Sequence, residues 1–210
     1  MDDSFDSVES VIESVREGKV VILVDDLDRE NEGDLMVAAS RITTQSMAFI
    51  IKHTSGFVCV GMDGEILDSL EIPLMVKVDK NEDQFRTAFT QTVDYRFGTT
   101  TGISAHDRAL TAIKLSDPSS QPEHFTRPGH LCPLRSRKGG LLTRRGHTEA
   151  GVDLCELAGL PKVSVICELV KPGCEEGSMS RRSDCLKFAR DYDLRIVSIN
   201  RIHKFILSKQ

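Results

Sequence analysis

Residues 19–39, KVVILVDDLDRENEGDLMVAA, decide the fold class, because they hold two apolar runs separated by a charged segment. The run Lys19–Asp25 is nearly continuous in apolar residues, which is typical of a strand covered on both faces of a sheet. Leu35–Ala39 predicts a second strand, and the charged residues between the runs predict a loop. Helices must cover the faces of such a sheet.

Helix and strand signals alternate along the rest of the chain. Ser7, Thr44 and Ser104 each precede apolar residues at helical spacing, so we expect them to cap helices. Further strands are predicted at Phe57–Met62, Ala88–Tyr95, Leu131–Arg135, Val163–Val170 and Leu194–Ile199, with helices over about 180–192 and from Asn200. These elements predict a mixed sheet with helices on its faces, in a single domain over residues 1–210.

Composition excludes several classes of protein. The chain has 210 residues, 40% hydrophobic and 28% charged, which is a globular rather than a disordered composition. No apolar run approaches the roughly 18 to 20 residues of a membrane helix. The net charge of −5, the 5% of aromatic residues and the absence of Trp argue against a nucleic-acid or membrane partner.

The six cysteines and the N-terminus bear on cellular location. No two cysteines form a Cys-x-x-Cys pair, so they are interpreted as reduced and mostly buried thiols. The acidic N-terminus lacks the features of a secretory signal or a transit peptide. We therefore expect a cytoplasmic protein.

The segment 25–34, DDLDRENEGD, holds six carboxylates in ten residues directly after an apolar strand. Such crowding is repulsive unless a cation or a positive partner lies there. The spacing does not match a calcium-binding hand, whereas Mg²⁺ held by few carboxylates, water and substrate fits it. A solvated acidic turn is the alternative.

The segment 142–150, LTRRGHTEA, has the complementary chemistry. Its arginines, glycine and threonine precede a predicted helix, and free N–H groups at a helix start favour a phosphate. His147 can bind a metal or transfer a proton. The alternative is a basic loop with Thr148 as a helix cap. Together, the two segments indicate a phosphorylated, oxygen-rich substrate bound through Mg²⁺.

Three further segments can present functional groups. Arg127–His130 is predicted to be a tight turn that presents His130 as an acid or base, unless this is a surface histidine. Glu168 lies in an apolar strand, which is costly unless it is paired, functional or on a solvated face. The hydroxyl-rich residues 99–108 are expected to be mainly structural, with some substrate contact.

Five segments in order resemble one family. They are DRENEGD at 28–34, TGISAHDR at 101–108, RPGH at 127–130, RRGHTEA at 144–150 and CEL at 167–169. Over roughly residues 8 to 207 the chain resembles the 3,4-dihydroxy-2-butanone 4-phosphate synthase family of riboflavin biosynthesis. That family is often fused to a GTP cyclohydrolase II domain, and this chain resembles the monofunctional form.

The resemblance implies an activity and an assembly. Members convert D-ribulose 5-phosphate to L-3,4-dihydroxy-2-butanone 4-phosphate and formate with Mg²⁺, for which Mn²⁺ is a possible substitute. The implied fold is an α+β, three-layer α/β/α sandwich with a mixed β-sheet. The implied assembly is a homodimer, without nucleic-acid or membrane partners.

The resemblance also implies roles for individual residues. Glu30 and His147 match metal ligands, and Arg29 and Asp34 match substrate-binding or acid–base positions. The other matches are Arg144, Gly146 and Thr148 at the phosphate end, His130 and Glu168 in proton transfers, Glu32 beside the substrate and Thr92 as a substrate contact. Many members have glycine where Arg145 stands, so no role is assigned to Arg145.

Two other functions explain parts of the sequence. A different Mg²⁺-dependent phosphosugar isomerase or aldolase would use the same acids and phosphate cradle. A nucleotide- or RNA-binding module would use the basic stretch 135–145, against the net charge and the scarce aromatics. The loop 26–34 is expected to close over substrate, because reactive intermediates must be kept from water.

Overall fold

The computed structural model describes residues 4–209, and this part of the chain forms seven α-helices and seven β-strands. The helices are α1 (Val8–Arg16), α2 (Thr44–His53), α3 (Gly64–Ser69), α4 (Ala105–Leu115), α5 (His147–Leu157), α6 (Arg182–Asp191) and α7 (Ile199–Leu207). The strands are β1 (Val21–Val24), β2 (Gly33–Ala38), β3 (Cys59–Met62), β4 (Val93–Tyr95), β5 (Phe125–Arg135), β6 (Val163–Glu168) and β7 (Arg195–Ser198).

The strands form one mixed sheet in the order β4-β5-β3-β6-β2-β1-β7. The pairs β1/β7 and β3/β5 are parallel, and the other neighbours are antiparallel. The first two strands are a hairpin in which Val24 pairs with Gly33. The acidic segment is the connection of that hairpin, so both of its ends are fixed by the sheet.

Two apolar layers cover the two faces of the sheet. Alternate residues of β2 face opposite layers: Leu35 packs with α2, α4 and α6, and Met36 packs with α1, α5 and α7. All six residues of β2 are buried. The predicted three-layer α/β/α sandwich with a mixed sheet is confirmed. None of the helices in residues 4–209 is long and apolar enough to cross a bilayer.

The prediction of a tight turn at Arg127–His130 is wrong, because these residues belong to the eleven-residue strand β5. The reason lies in the neighbouring strand. The Thr92 hydroxyl accepts a hydrogen bond from the Gly129 N–H at 3.1 Å, and the Asp94 carboxylate accepts one from the His130 N–H at 2.8 Å. These side chains satisfy the backbone where β4 and β5 shift register, so the strand continues through the Pro-Gly pair.

Smaller differences concern element ends. Thr43, not Thr44, caps α2, since its hydroxyl accepts the Ser46 N–H at 3.1 Å and Thr44 is already helical. The predicted strand Ala88–Tyr95 reduces to β4, with isolated bridges at Phe89 and Thr90. The caps Ser7 and Ser104 are as predicted.

Candidate active site

Asp25 organises the acidic hairpin loop. Its carboxylate is buried at the end of β1 and accepts the backbone N–H groups of Glu30 at 3.0 Å and Glu32 at 2.9 Å. The Arg29 guanidinium donates to the same carboxylate at 2.9 Å. From outside, Arg181 donates to the Glu30 carbonyl at 2.7 Å. The crowded loop is therefore held in one shape that fixes the backbone of Glu30.

Glu30 meets His147 at the start of α5. The Glu30 Oε2 atom lies 3.4 Å from His147 Nδ1, and the Asp34 Oδ1 atom lies 3.8 Å from His147 Nε2. Both His147 Nε2 and Asp34 Oδ1 are buried without a hydrogen-bond partner among the described residues. Buried polar atoms are rarely left unpaired in folded proteins, and such atoms point to a bound ion or ligand.

The charges at this point are unusual. Burial alone would lower the pKa of His147, but Asp34, Glu30 and Asp25 outweigh it and raise the pKa to about 9. Burial raises the pKa of Asp34 to about 7, against the opposing charge of His147. Burial also opposes ionisation of Glu30, yet its hydrogen bond and charge interactions with His147, and those with Arg29, hold its pKa below the ordinary value. The protein has surplus negative charge here, and a protonated His147 partly neutralises it.

These residues fit a divalent cation. Donor atoms of Asp25, Glu30 and His147 all lie within 4.8 Å of one another. Both oxygens of Asp25 are already engaged with the loop. Glu30 Oε2 accepts one hydrogen bond, from Arg29 at 2.7 Å, and His147 Nε2 and Asp34 Oδ1 have no partner among the described residues. Two neighbouring ligands of octahedral Mg²⁺ are roughly 3 Å apart, close to the separation of Glu30 and His147. Glu30 and His147 are therefore the ligands that the geometry favours.

Glu168 lies beside this group at the end of β6. It is the Cα partner of Asp34 across the β2/β6 pair, and Ser55 donates a hydrogen bond to its Oε2 at 2.8 Å. It shares the sheet face of Ile166, which is the face packed against α5. Glu168 is partly buried, so its carboxylate remains open towards the same side of the sheet as Asp34.

The N-terminus of α5 and Arg144 form the candidate phosphate end. Gly146 is the N-cap of the helix, so the interpretation of Thr148 as a cap is wrong: Thr148 is already in the first turn. A side chain at Gly146 would displace the Arg144 guanidinium from its present position. Arg144 is held by Glu149 at 2.5 Å and by Thr87 at 3.0 Å. Arg145, one residue further along, is exposed.

Phe85 connects the acidic loop to the phosphate end, and sequence reasoning did not find it. Its ring lies 4.5 Å from the Arg29 guanidinium carbon, and its carbonyl accepts the Arg144 Nε–H at 3.2 Å. The residue lies in a part of the chain for which the sequence predicts no helix or strand, and no pattern distinguishes it. Phe85 thus positions two arginines at once.

His130 belongs to a second group on the β4/β5 edge. Its Nδ1 atom is 2.6 Å from Asp94 Oδ2, and Gly102 packs so closely that a side chain there would collide with both residues. The sequence alone assigns no role to Asp94, since nothing in it pairs strands β4 and β5 in this register. β3 separates β5 from β6, so the His130 and Glu168 strands are about 10 Å apart, two strand spacings.

The remaining predicted residues have other contacts. The Glu32 carboxylate lies 3.3 Å from Arg181, and Thr92 contacts the strand of His130 rather than the Glu30–His147 pair. In residues 99–108, the Asp107 carboxylate accepts hydrogen bonds from the N–H groups of Thr100 and Gly102, at 3.0 Å each. These bonds order the segment that leads into α4.

A carboxylate–imidazole donor set beside an arginine and a helix N-terminus, on a three-layer α+β fold, defines a class: a metal-binding enzyme for a small phosphorylated substrate. The sequence model of 3,4-dihydroxy-2-butanone 4-phosphate synthase matches residues 9–205. The chain belongs to this family, whose named members include riboflavin-biosynthesis proteins.

Two fungal relatives and one plant relative show the extent of the match. The synthase of Schizosaccharomyces pombe is 54% identical, over 95% of this chain and 97% of its own, and that of Saccharomyces cerevisiae is 48% identical, over 96% and 99%. The chain is also 54% identical to the Arabidopsis thaliana monofunctional riboflavin biosynthesis protein RIBA 2, over 94% of this chain and 41% of that protein.

Solved structures agree with the fold. A synthase crystal structure in complex with two magnesium ions has a TM-score of 0.90 at 46% identity, over 94% of this chain and 95% of that one. A cation-free synthase structure has the same TM-score at 44% identity, over 97% and 98%.

Proposed function

We propose that this chain converts D-ribulose 5-phosphate to L-3,4-dihydroxy-2-butanone 4-phosphate and formate, with Mg²⁺. The observation that carries the proposal is the approach of Glu30 to His147 at 3.4 Å, next to the N-terminus of α5. Family membership supports the same reaction. A different phosphosugar isomerase or aldolase is not favoured by the relatives.

Glu30 and His147 hold the cation in this proposal. When bound, Mg²⁺ supplies Lewis-acid stabilisation of enediolate oxygens and a template for the sugar hydroxyls. A single carboxylate and a single imidazole leave most coordination positions for substrate and water. The unpartnered atoms of His147 and Asp34 support a ligand at this point.

Arg144, Gly146 and Thr148 bind the phosphate. The first N–H groups of α5 have no partner within the helix, and the positive end of the helix dipole favours an anion. Arg144 has donors beyond those used by Glu149, Thr87 and Phe85. Arg29, stacked on Phe85, orients the middle of the substrate from the loop side.

The proton transfers need several acid–base groups. Asp34, with a pKa of about 7, can accept or donate a proton at neutral pH, and Glu168 lies next to it across the β2/β6 pair. Burial also raises the pKa of Glu32, which lies in the hairpin loop. Asp94 orients His130. In this proposal His130 and Thr92 act on the part of the substrate that lies farthest from Asp34 and Glu168.

Loop closure completes the proposal for the site. Residues 26–32 of the predicted loop close over the bound substrate and keep water from the intermediates, whereas Gly33 and Asp34 stay in β2. Arg181, the residue before α6, contacts both the Glu30 carbonyl and the Glu32 carboxylate, so these contacts must change when the loop closes. Protease protection of the loop should rise when a substrate analogue and Mg²⁺ are added together, and unchanged protection would contradict closure.

We also propose that the enzyme is a homodimer. Some large apolar side chains are more than half exposed, among them Phe57, Phe97 and Ile103 at 54%, 54% and 51%. Exposed apolar area that joins into a patch marks an interaction surface. Sedimentation at micromolar concentration should give twice the chain mass, and a monomer would contradict the proposal. Mn²⁺ as a substitute ion, a cytoplasmic location and the lack of nucleic-acid partners remain proposals from the sequence.

Purified protein and ribulose 5-phosphate test the reaction directly. Carbon NMR should show formate and a four-carbon phosphate in equal amounts, and EDTA should stop both. A pentose phosphate without formate would favour an isomerase. A salt-dependent RNA gel shift without turnover would favour a binding module.

A further inference from the structure

Cys59 and Cys132 are neighbours on the sheet at the floor of the candidate site. Cys59 on β3 is the Cα partner of Cys132 on β5, and both side chains enter the layer that packs against α5. Cys132 follows His130 by two residues, and the other Cα partner of Cys59, Ile166, precedes Glu168 by two. Cys132 therefore lies on the strand that carries His130, and Cys59 lies on β3, between that strand and the strand that carries Glu168.

The backbone already has the spacing of a disulfide. Neighbouring strands are about 4.7–4.9 Å apart, inside the Cα separation of about 4.4–6.8 Å that a disulfide spans. The register gives both side chains the same direction from the sheet. A covalent bond between them therefore requires side-chain rotation and little backbone movement.

Cys132 differs from the other buried thiols in the direction of its pKa shift. The hydrogen-bonding interaction between the two thiols lowers the pKa of Cys132 and raises that of Cys59 well above its ordinary value. Burial raises the pKa values of Cys155 and Cys185 to about 12 and that of Cys167 to about 11. A thiolate is the form that reacts with oxidants, and within the pair Cys132 is the thiol whose pKa is lowered.

We propose that Cys59 and Cys132 are a reversible oxidation site, in which a peroxide joins them into a disulfide across β3 and β5. The first thiolate attacks a peroxide oxygen; an S–O bond forms, the O–O bond breaks, and the leaving oxygen takes a proton to become water. The second thiol attacks the sulfenic sulfur; the S–S bond forms, the S–O bond breaks, and a second water leaves. In total, two thiols and one hydrogen peroxide give one disulfide and two waters.

The disulfide interferes with the site that lies on the same strands. It fixes β3 against β5 and removes the Cys59 thiol, which hydrogen-bonds to the Phe57 carbonyl at 3.5 Å. Misplacement of catalytic groups by about 1 Å costs as much as a hundredfold in rate. Turnover by the oxidised protein should fall about tenfold or more, and dithiothreitol should restore it. This activity readout rests on the proposed function, whereas the cross-link does not.

The test is peroxide treatment of the full chain, followed by alkylation and mass mapping without reduction. The expected result is a peptide pair that joins Cys59 to Cys132 and disappears with dithiothreitol. Cys132→Ser should lose the cross-link and keep its reduced activity in peroxide, and Cys132→Ala serves if the serine variant fails to fold. Cys174→Ser is the matched control: hydrogen bonds from Ser178 lower the pKa of that less buried thiol, so it is the competing target.

Two results would overturn the proposal. One is a peroxide-treated wild type in which Cys59 and Cys132 both remain alkylatable. The other is oxidation of single thiols to sulfinic acid without the cross-link. A mapped cross-link in a protein that releases no formate would uphold the dithiol site and reject the proposed function, so the two claims fail separately.

Discussion

The site contains two histidines beside carboxylates, and their surroundings differ. His147 is buried at the start of α5 with Nε2 unpartnered, between Glu30 and Asp34. The His130 side chain is 43% exposed, and Asp94 holds its Nδ1 atom at 2.6 Å. A buried imidazole with an open nitrogen among acids suits a cation, whereas an exposed imidazole oriented by a carboxylate suits proton transfer. The same two residue types thus give two different chemistries.

The largest expected effect comes from the His147 side of this comparison. Glu30→Gln or His147→Ala should reduce turnover below detection, because each removes a ligand of the proposed catalytic ion. Formate release measures the loss. Circular dichroism should show an intact fold, because the fold does not depend on the bound ion. Measurable turnover in either variant would contradict the assignment of these residues as metal ligands.

Glu168→Gln should lower kcat by about 10²–10⁴-fold with little change in KM, because a general acid or base is lost while the binding groups stay. Steady-state kinetics with ribulose 5-phosphate measure both constants. Ser55→Ala removes the hydrogen bond to Glu168 at 2.8 Å and keeps the carboxylate. It should retain far more activity, and equal losses in both variants would indicate a structural role for Glu168.

Asp94→Asn tests the His130 side. It should lower kcat by about 10²-fold and displace the acidic or basic limb of the pH–rate profile, because the tautomer and orientation of His130 depend on this partner. A merely structural role would lower the amount of folded protein and leave the pH profile in place. His130→Ala should not be worsened further by Asp94→Asn.

Adjacent arginines give a matched pair at the phosphate end. Arg144→Ala should raise KM about 10-fold or more by removing a charge-assisted contact to phosphate. Arg145→Ala, one residue away and exposed, should change kcat/KM by less than about twofold. Equal effects would place the phosphate elsewhere.

The last expected effect, which needs no substitution, is the pH dependence of cation binding. His147 has its pKa raised from 6.5 to about 9, so its proton stabilises the cation-free protein and is lost as pH rises through about 9. Mg²⁺ must displace that proton, so its affinity should rise with pH, at most about tenfold per unit, and level off above pH 9. Calorimetry in buffers of different ionisation enthalpy measures the released proton. Affinity that falls with pH would contradict this electrostatic account.

The sequence predicted the elements that depend on local patterns. The β1–loop–β2 hairpin follows from apolar runs on either side of charged residues, and Ser7 and Ser104 are recognisable caps. The pairing of Glu30 with His147 joins positions 117 residues apart in the chain (147 − 30), which no local pattern encodes. Only the resemblance to a family suggested it.

The elements that the sequence missed depend on side chains from distant strands. Residues 127–130 continue as a strand because Thr92 and Asp94 supply hydrogen-bond acceptors from β4. Phe85 contacts two arginines, at 29 and 144, that lie far from it in the chain. Strand register and loop contacts of this kind are set by tertiary packing, which local propensity does not report.

Direct titration of the metal-free protein with Mg²⁺ tests the central claim, that Glu30 and His147 bind one cation together. Calorimetry should give saturable binding in wild type, a loss of at least about 10-fold in affinity for Glu30→Gln and for His147→Ala, and no further loss in the double variant beyond the weaker single one. Wild-type affinity in either single variant would contradict the claim.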